Sequence, residues 1–109
     1  MPTDVRTVLV TAPDEAAART LAEVVVGEGL AACVSLVPGV LSVYRWQGEL
    51  RHDPEILLVM KTTAARMAAL RERVVALHPY EVPEVLSLSV EEGHAPYLAW
   101  VREEVDGPG

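Results

Sequence analysis

One cysteine, Cys33, and three histidines, His52, His78 and His94, are the soft and borderline metal ligands of this chain. A thiolate suits copper and other thiophilic ions, and imidazole suits most first-row metals, but a site needs two or more ligands held together. Cys33 stands alone, so its plain reading is a small buried hydrophobe. Its sharper reading is a metal ligand completed by other copies of the chain. His78 is the candidate second ligand, against the plain reading of a cation placed at a helix C-terminus. His78 also opens an unusual connector, His78-Pro79-Tyr80-Glu81-Val82-Pro83-Glu84, which sets an imidazole, a phenol and two carboxylates between two stiffening prolines. Rigid loops of this polar density often line a site; the alternative is a stiff link between helix and strand.

A second group lies near a hairpin tip. Tyr44, Arg45 and Trp46 are the residue types that anchor interfaces, and interface filling is their plain reading. The sharper one is a ligand platform in a cleft between subunits, formed by Tyr44, Trp46, Lys61, Tyr80, Glu81 and Glu84, with Lys61 neutralising an anionic ligand. Otherwise Lys61 is a solvated cation. Glu49, Asp53 and Glu55 follow along the return strand; exposed acids there solubilise, and brought together by symmetry they would bind hard cations weakly. The chain has no Gly-rich phosphate loop, no G-x-S-x-G, no H-E-x-x-H and no paired-cysteine zinc spacing.

These residues need elements to hold them. Val5 to Thr11 is an apolar, β-branched run, as in a central strand. Pro13 suits a first helical turn, with Asp14 and Glu15 facing the helix dipole. Ala17, Leu21, Val24 and Val25 then mark one helix face, ended by Gly27 and Gly29. From Cys33 to Trp46 the period is two, interrupted at Pro38-Gly39 by a bulge or an edge. Gln47-Gly48 is a two-residue turn, and Glu49 to Thr62 returns. Thr62-Thr63 is placed to cap a second helix, whose stripe is Met67, Leu70, Val74 and Leu77. His78-Pro79 stops it. Leu86, Leu88 and Val90 alternate as a last strand, and Pro96 opens a last helix carrying Tyr97, Leu98, Trp100, Val101 and Val105.

The order β-α-β-β-α-β with an extra C-terminal helix gives an α+β, ferredoxin-like sandwich, with both main helices on one sheet face. The other face is left bare. Hairpin strands of about 14 residues would span roughly 45 Å, far beyond a domain with a radius of gyration of about 13 Å, so the hairpin must project or bend. Projecting apolar strands pair with further copies, which predicts a closed homo-oligomer.

The 109 residues suit a single domain over 1–109, with 106–109 as a frayed tail. With 50% apolar and 23% charged residues the chain is globular. Nine Lys and Arg against 16 acids give a formal charge of −7, which argues against a nucleic-acid partner and an anionic membrane surface and tolerates metal cations. Neither a basic start nor a long apolar run is found at MPTDVRTVLV, and the lone cysteine forms no intrachain disulfide, so the expected compartment is the cytoplasm.

The chain resembles the CutA family of divalent-cation tolerance proteins, from Val8 to Val101. The resemblance is carried by Leu30-Ala31-Ala32-Cys33-Val34, Pro38-Gly39, Ser42-Val43-Tyr44-Arg45-Trp46 with Gly48, Glu55-Ile56-Leu57-Leu58, Lys61-Thr62, the 78–84 connector and Tyr97-Leu98-Ala99-Trp100. It implies a ferredoxin-like subunit, a tight homotrimer with strands paired across subunits, and a cytosolic role in copper and divalent-metal tolerance and homeostasis. It brings no catalytic reaction. Copper or another divalent cation is then a weakly held ligand, with Cys33 matching the family's metal-associated cysteine, and no cofactor is obligatory. The trimer also looks like PII signalling proteins, which implies as alternatives a regulatory module holding a small ligand between subunits, or a bare scaffold. An acylphosphatase-like enzyme of the same fold is disfavoured, because Thr11-Ala12-Pro13-Asp14 lacks a catalytic Arg. Two positions depart from the family pattern: Ser35 replaces an Asn near Cys33, and Gln47 replaces a Glu at the hairpin tip.

Overall fold

Alternation of buried and partly exposed residues sets the sheet. In the computed structural model, which describes residues 3–106, Val5–Ala12 form β1, the inner strand between Glu49–Thr63 (β3) and the short Leu86–Ser89 (β4). Cys33–Trp46 (β2) pairs with the far side of β3, giving one antiparallel sheet of order β2-β3-β1-β4. Glu15–Gly27 (α1) joins β1 to β2, Met67–Leu77 (α2) joins β3 to β4, and Ala95–Asp106 (α3) follows. The α+β, ferredoxin-like expectation holds.

One sheet face carries Val8, Val10 and Ala12 of β1 and Leu58 and Met60 of β3. Against it pack Ala18, Leu21 and Val25 of α1 and Leu70 and Val74 of α2, all buried. Full burial of each Val, Leu or Met side chain here contributes roughly 1.5–3 kcal/mol. Both main helices therefore lie on one face. On the opposite face only one end is covered: Val5 and Ala32 pack with Leu98, Val101 and Val105 of α3. The remainder is bare, with Leu86 and Leu88 about half exposed.

α1 is well delimited. The Asp14 carboxylate accepts the Ala17 N–H at 2.8 Å, which satisfies one of the free donors of the first turn. At the other end Gly29 takes φ +71°, Gly29 N–H reaches Val26 O and Leu30 N–H reaches Val25 O. This is a Schellman closure, which needs a left-handed residue.

The hairpin projects as expected. The molecule measures 44 × 28 × 23 Å with a radius of gyration of 14.5 Å. Trp46 pairs with Glu49 across Gln47-Gly48, at φ +50° and +82°, the two positive angles of a tight type I′ turn. The bulge also forms. Val37 pairs with Leu57 and Val40 with Glu55, so Pro38 and Gly39 oppose Ile56 alone. Gly39 supplies the left-handed angle, φ +78°. Two residues against one exchange the faces of β2. Before the bulge, Val34 and Leu36 pack against the core. Beyond it, Ser42, Tyr44 and Trp46 stand opposite Asp53, Arg51 and Glu49, on the face that also bears Glu55.

Four details differ from the sequence reading. Pro13 precedes the cap instead of opening the helix, because the Asp14 side chain is the cap. The buried alanine of α1 is Ala18, with Ala17 only partly buried. Thr62-Thr63 do not cap α2: both remain in β3, the Thr62 hydroxyl donates to Leu30 O at 2.7 Å, and α2 starts after Arg66 without a side-chain cap. Asp106, expected in a frayed tail, belongs to α3; the rest of that tail, 107–109, lies outside the described residues.

Candidate functional site

The bulge and the second connector together build a cleft. β2 and β3 beyond the bulge form one wall, through Ser42, Tyr44, Trp46, Arg51, Asp53 and Glu55. The segment after α2 forms the other, with Pro79, Tyr80, Glu81, Val82 and Glu84, and Thr11 and Pro13 close the end. The cleft is open on one side, with a volume of about 920 Å³.

The connector is held by its histidine. His78 takes extended angles, φ −72° and ψ 138°, as a residue before proline must, and is buried. Its Nδ1 accepts the Tyr80 backbone N–H at 3.1 Å. The proton therefore sits on Nε2, which donates to the Thr11 carbonyl at 2.7 Å. The two rings pack with centroids 4.7 Å apart. Tied to β1 in this way, Tyr80 donates its hydroxyl to Glu55 at 2.7 Å. Burial, reinforced by that bond, pushes the Tyr80 phenol well above its ordinary range.

A second phenol–carboxylate pair lies further out. Tyr44 stands opposite Arg51, so Asp53 is its diagonal neighbour, within reach of a long aromatic side chain. The Tyr44 hydroxyl donates to Asp53, and that bond raises the phenol's pKa. Glu55 is only 8% exposed. Arg51 approaches Glu49 at 3.8 Å and is the one Lys or Arg in the lining.

Cys33 lies elsewhere. It faces Lys61 across the ladder, half buried, and its Sγ sits 3.4 Å from the Tyr97 hydroxyl of α3. That contact, with burial, pushes the Tyr97 phenol up to about 12. Tyr97 in turn packs on Trp100 at 5.7 Å.

Of the residues named from sequence, Tyr44, Trp46, Tyr80, Glu81 and Glu84 meet around the cleft, while Lys61 does not line it. Cys33 and His78 are not brought together within one chain. Lys61 is the cross-strand partner of Cys33, and His78 bonds to Thr11, whose partner is Leu57. Four positions of β3 separate the two, roughly 13 Å. Both ring nitrogens of His78 are already engaged. Among the described residues no three His, Cys, Asp or Glu side chains converge on a point that would hold a metal ion, so the residues of one chain do not fit a resident metal. The Cys33–Tyr97 contact and the pairing of Tyr80 with Glu55 carried no sequence signal, because both join distant segments.

The fold has close counterparts. The family model described as CutA1 divalent ion tolerance protein matches residues 6–104. A protein of Thermus thermophilus, Divalent-cation tolerance protein CutA, is 55% identical over 96 residues, 88% of this chain and 93% of its own length. Human Protein CutA is 45% identical over 103 residues, 94% of this chain but 58% of the human protein. Among solved structures, that of CutA from Xylella fastidiosa superposes with a TM-score of 0.94 at 42% identity, covering 95% of this chain and 100% of the other. A structure titled as the periplasmic divalent cation tolerance protein CutA from Archaeoglobus fulgidus gives 0.90 at 30% identity, covering 93% and 98%.

Proposed function

The chain belongs to the CutA1 family, and from that premise we propose that it acts in divalent-cation tolerance as a self-assembled, non-catalytic protein. The observation that carries this reading is the 55% identity to the Thermus tolerance protein over nearly the whole of both chains. The fold supplies a reason for assembly. A sheet with one face largely bare, and a hairpin exposing Leu41, Val43 and Leu50 at 64%, 56% and 65%, leaves apolar surface that a second copy would bury. We read residues 1–109 as one domain and the assembly as a homotrimer working in the cytoplasm. The periplasmic title of the Archaeoglobus relative makes cell fractionation the check on that compartment.

Metal contact, in this reading, is a property of the assembly. Cys33 is the soft ligand, held at the edge of the bare face, and further ligands come from other copies. A thiolate suits copper among the thiophilic metals. Native mass spectrometry under reducing conditions, with and without copper, tests this directly. A trimer that takes up metal in multiples of three, and loses it on Cys33→Ser, is expected. A trimer without specific uptake removes direct binding. Growth of a strain lacking the protein in graded copper, with and without the restored chain, tests tolerance itself.

The cleft favours a second reading, a PII-like module that holds a small ligand. Its volume of about 920 Å³ lies in the range of small-molecule sites, and a few polar groups converge on it.

A further inference from the structure

The cleft's electrostatics select a ligand class. Asp53, Glu55, Glu81 and Glu84 line it against Arg51 alone. Glu55 is the telling residue. It is more than nine-tenths buried, and its hydrogen bond is to a neutral phenol. No Lys, Arg or His among the described residues forms an ion pair with it. Buried carboxylates are normally paired with a positive charge; one chain supplies none, so that charge would come from a ligand in the cleft or from the copy that covers this face.

A compact metal ion is a poor match. Tight calcium sites gather six to eight oxygens, several of them from carboxylates, and among the described residues no three acids of this cleft converge on one point. They are spread along both walls, Asp53 and Glu55 on the strand and Glu81 and Glu84 on the connector. Between them stand Tyr44, Trp46 and Tyr80, whose faces suit alkyl segments and attract ammonium groups. Spread charges with aromatic walls complement a flexible chain carrying several separated cations.

We propose that this cleft binds a linear polyamine, an alkyl chain with two or more ammonium groups, one of which pairs with Glu55. The proposal rests on the second reading above, that the cleft takes a small ligand, and names that ligand's class.

Isothermal titration of the intact protein with spermidine tests it, with n-butylamine, magnesium chloride and ATP as comparators. Spermidine is expected to bind once per chain and more tightly than butylamine, without displacement by magnesium at equal charge concentration. Glu55→Gln keeps the shape and removes the charge, and should weaken binding by about tenfold or more. Glu81→Gln, at an exposed position where folding is not at risk, should weaken it by about two- to fivefold, and carries the test if the Glu55 variant fails to fold. Binding that both substitutions leave unchanged would be diffuse attraction to an acidic protein and would overturn the proposal. Binding of ATP without spermidine would overturn the polyamine and keep the ligand cleft. Binding of neither would sink both.

Discussion

The helix-backed body of the sheet and its projecting hairpin are one ladder held by two kinds of force. In the body, β1 and β3 bury Val8, Val10, Leu58 and Met60 completely under α1 and α2, and apolar burial fixes the register because a slip would turn those residues out. Beyond the bulge no helix lies over the strands. There Leu41 and Leu50 are about two-thirds exposed, and what sets the geometry is local: a left-handed glycine, a tight turn, and two phenol–carboxylate bonds. The contrast separates stability from recognition. The body supplies the free energy of folding, and the hairpin spends its side chains on a surface that only a ligand or another copy can complete.

Breaking the body should cost most. Leu58→Ala removes a fully buried side chain and is expected to lower stability by about 2–5 kcal/mol in urea unfolding. Leu50→Ala in the hairpin should shift it by no more than about 0.5 kcal/mol if that side chain is as exposed in solution as it is in one chain. A loss comparable to that of Leu58→Ala would mean that another copy buries the hairpin, and would sharpen the proposal of self-assembly.

Gly39→Ala should cost about 1–2 kcal/mol, although nothing lies within 4 Å of the added carbon, because the left-handed angle alone penalises it. Amide exchange should rise in 40–55 and stay unchanged in β1. An even rise across the sheet would show that the hairpin and body are one cooperative unit.

The phenols give a finer probe. A raised phenol pKa means a proton held more tightly when folded, so its contribution is complete below the unfolded value of 10.0 and fades as pH rises through the folded one. For Tyr97 the loss falls between about 10 and about 12. In an alkaline titration followed by tyrosinate absorbance, Glu55→Gln should move Tyr80 down and leave Tyr97 in place, and Cys33→Ala should do the reverse. A shift of both phenols by either change would mean that the cleft and the Cys33 corner communicate.

The smallest effect belongs to the tip. Gln47 holds φ +50°, where Asn is favoured, and Gln47→Asn should add about 0.5 kcal/mol, visible as slower amide exchange at Leu50 and Arg45.

Periodicity made the body legible. Met67, Leu70, Val74 and Leu77 named the α2 stripe, and the length of β2 and β3 alone required a projecting hairpin. Thr62-Thr63 misled because the same residue types cap helices and end strands, and the choice was made by the pairing of Thr63 with Val5, 58 positions away. The cleft was half legible. Tyr44 and Trp46 stand out as aromatics near the hairpin tip, and Tyr80, Glu81 and Glu84 as polar groups of a proline-stiffened connector, and they meet. Lys61 was drawn to them by charge, yet β3 runs past the cleft before reaching it. Pairing Cys33 with His78 needed a distance, and sequence carries none between segments that close through tertiary contacts.

The bulge lets the two ends of β2 be fixed independently. At one end the core ties Val34 and Leu36 to Met60 and Leu58, and at the other the turn ties Trp46 to Glu49 and Tyr44 to Arg51. Between them β2 carries one residue more than β3, and Pro38-Gly39 opposite Ile56 takes up the excess. Deleting Gly39 would leave all of these partners in place and straighten the ladder, so Tyr44 and Trp46 would stay over the carboxylates. The bulge is thus a slack point in the chain, where the arm can shed a residue without re-addressing either the core or the cleft.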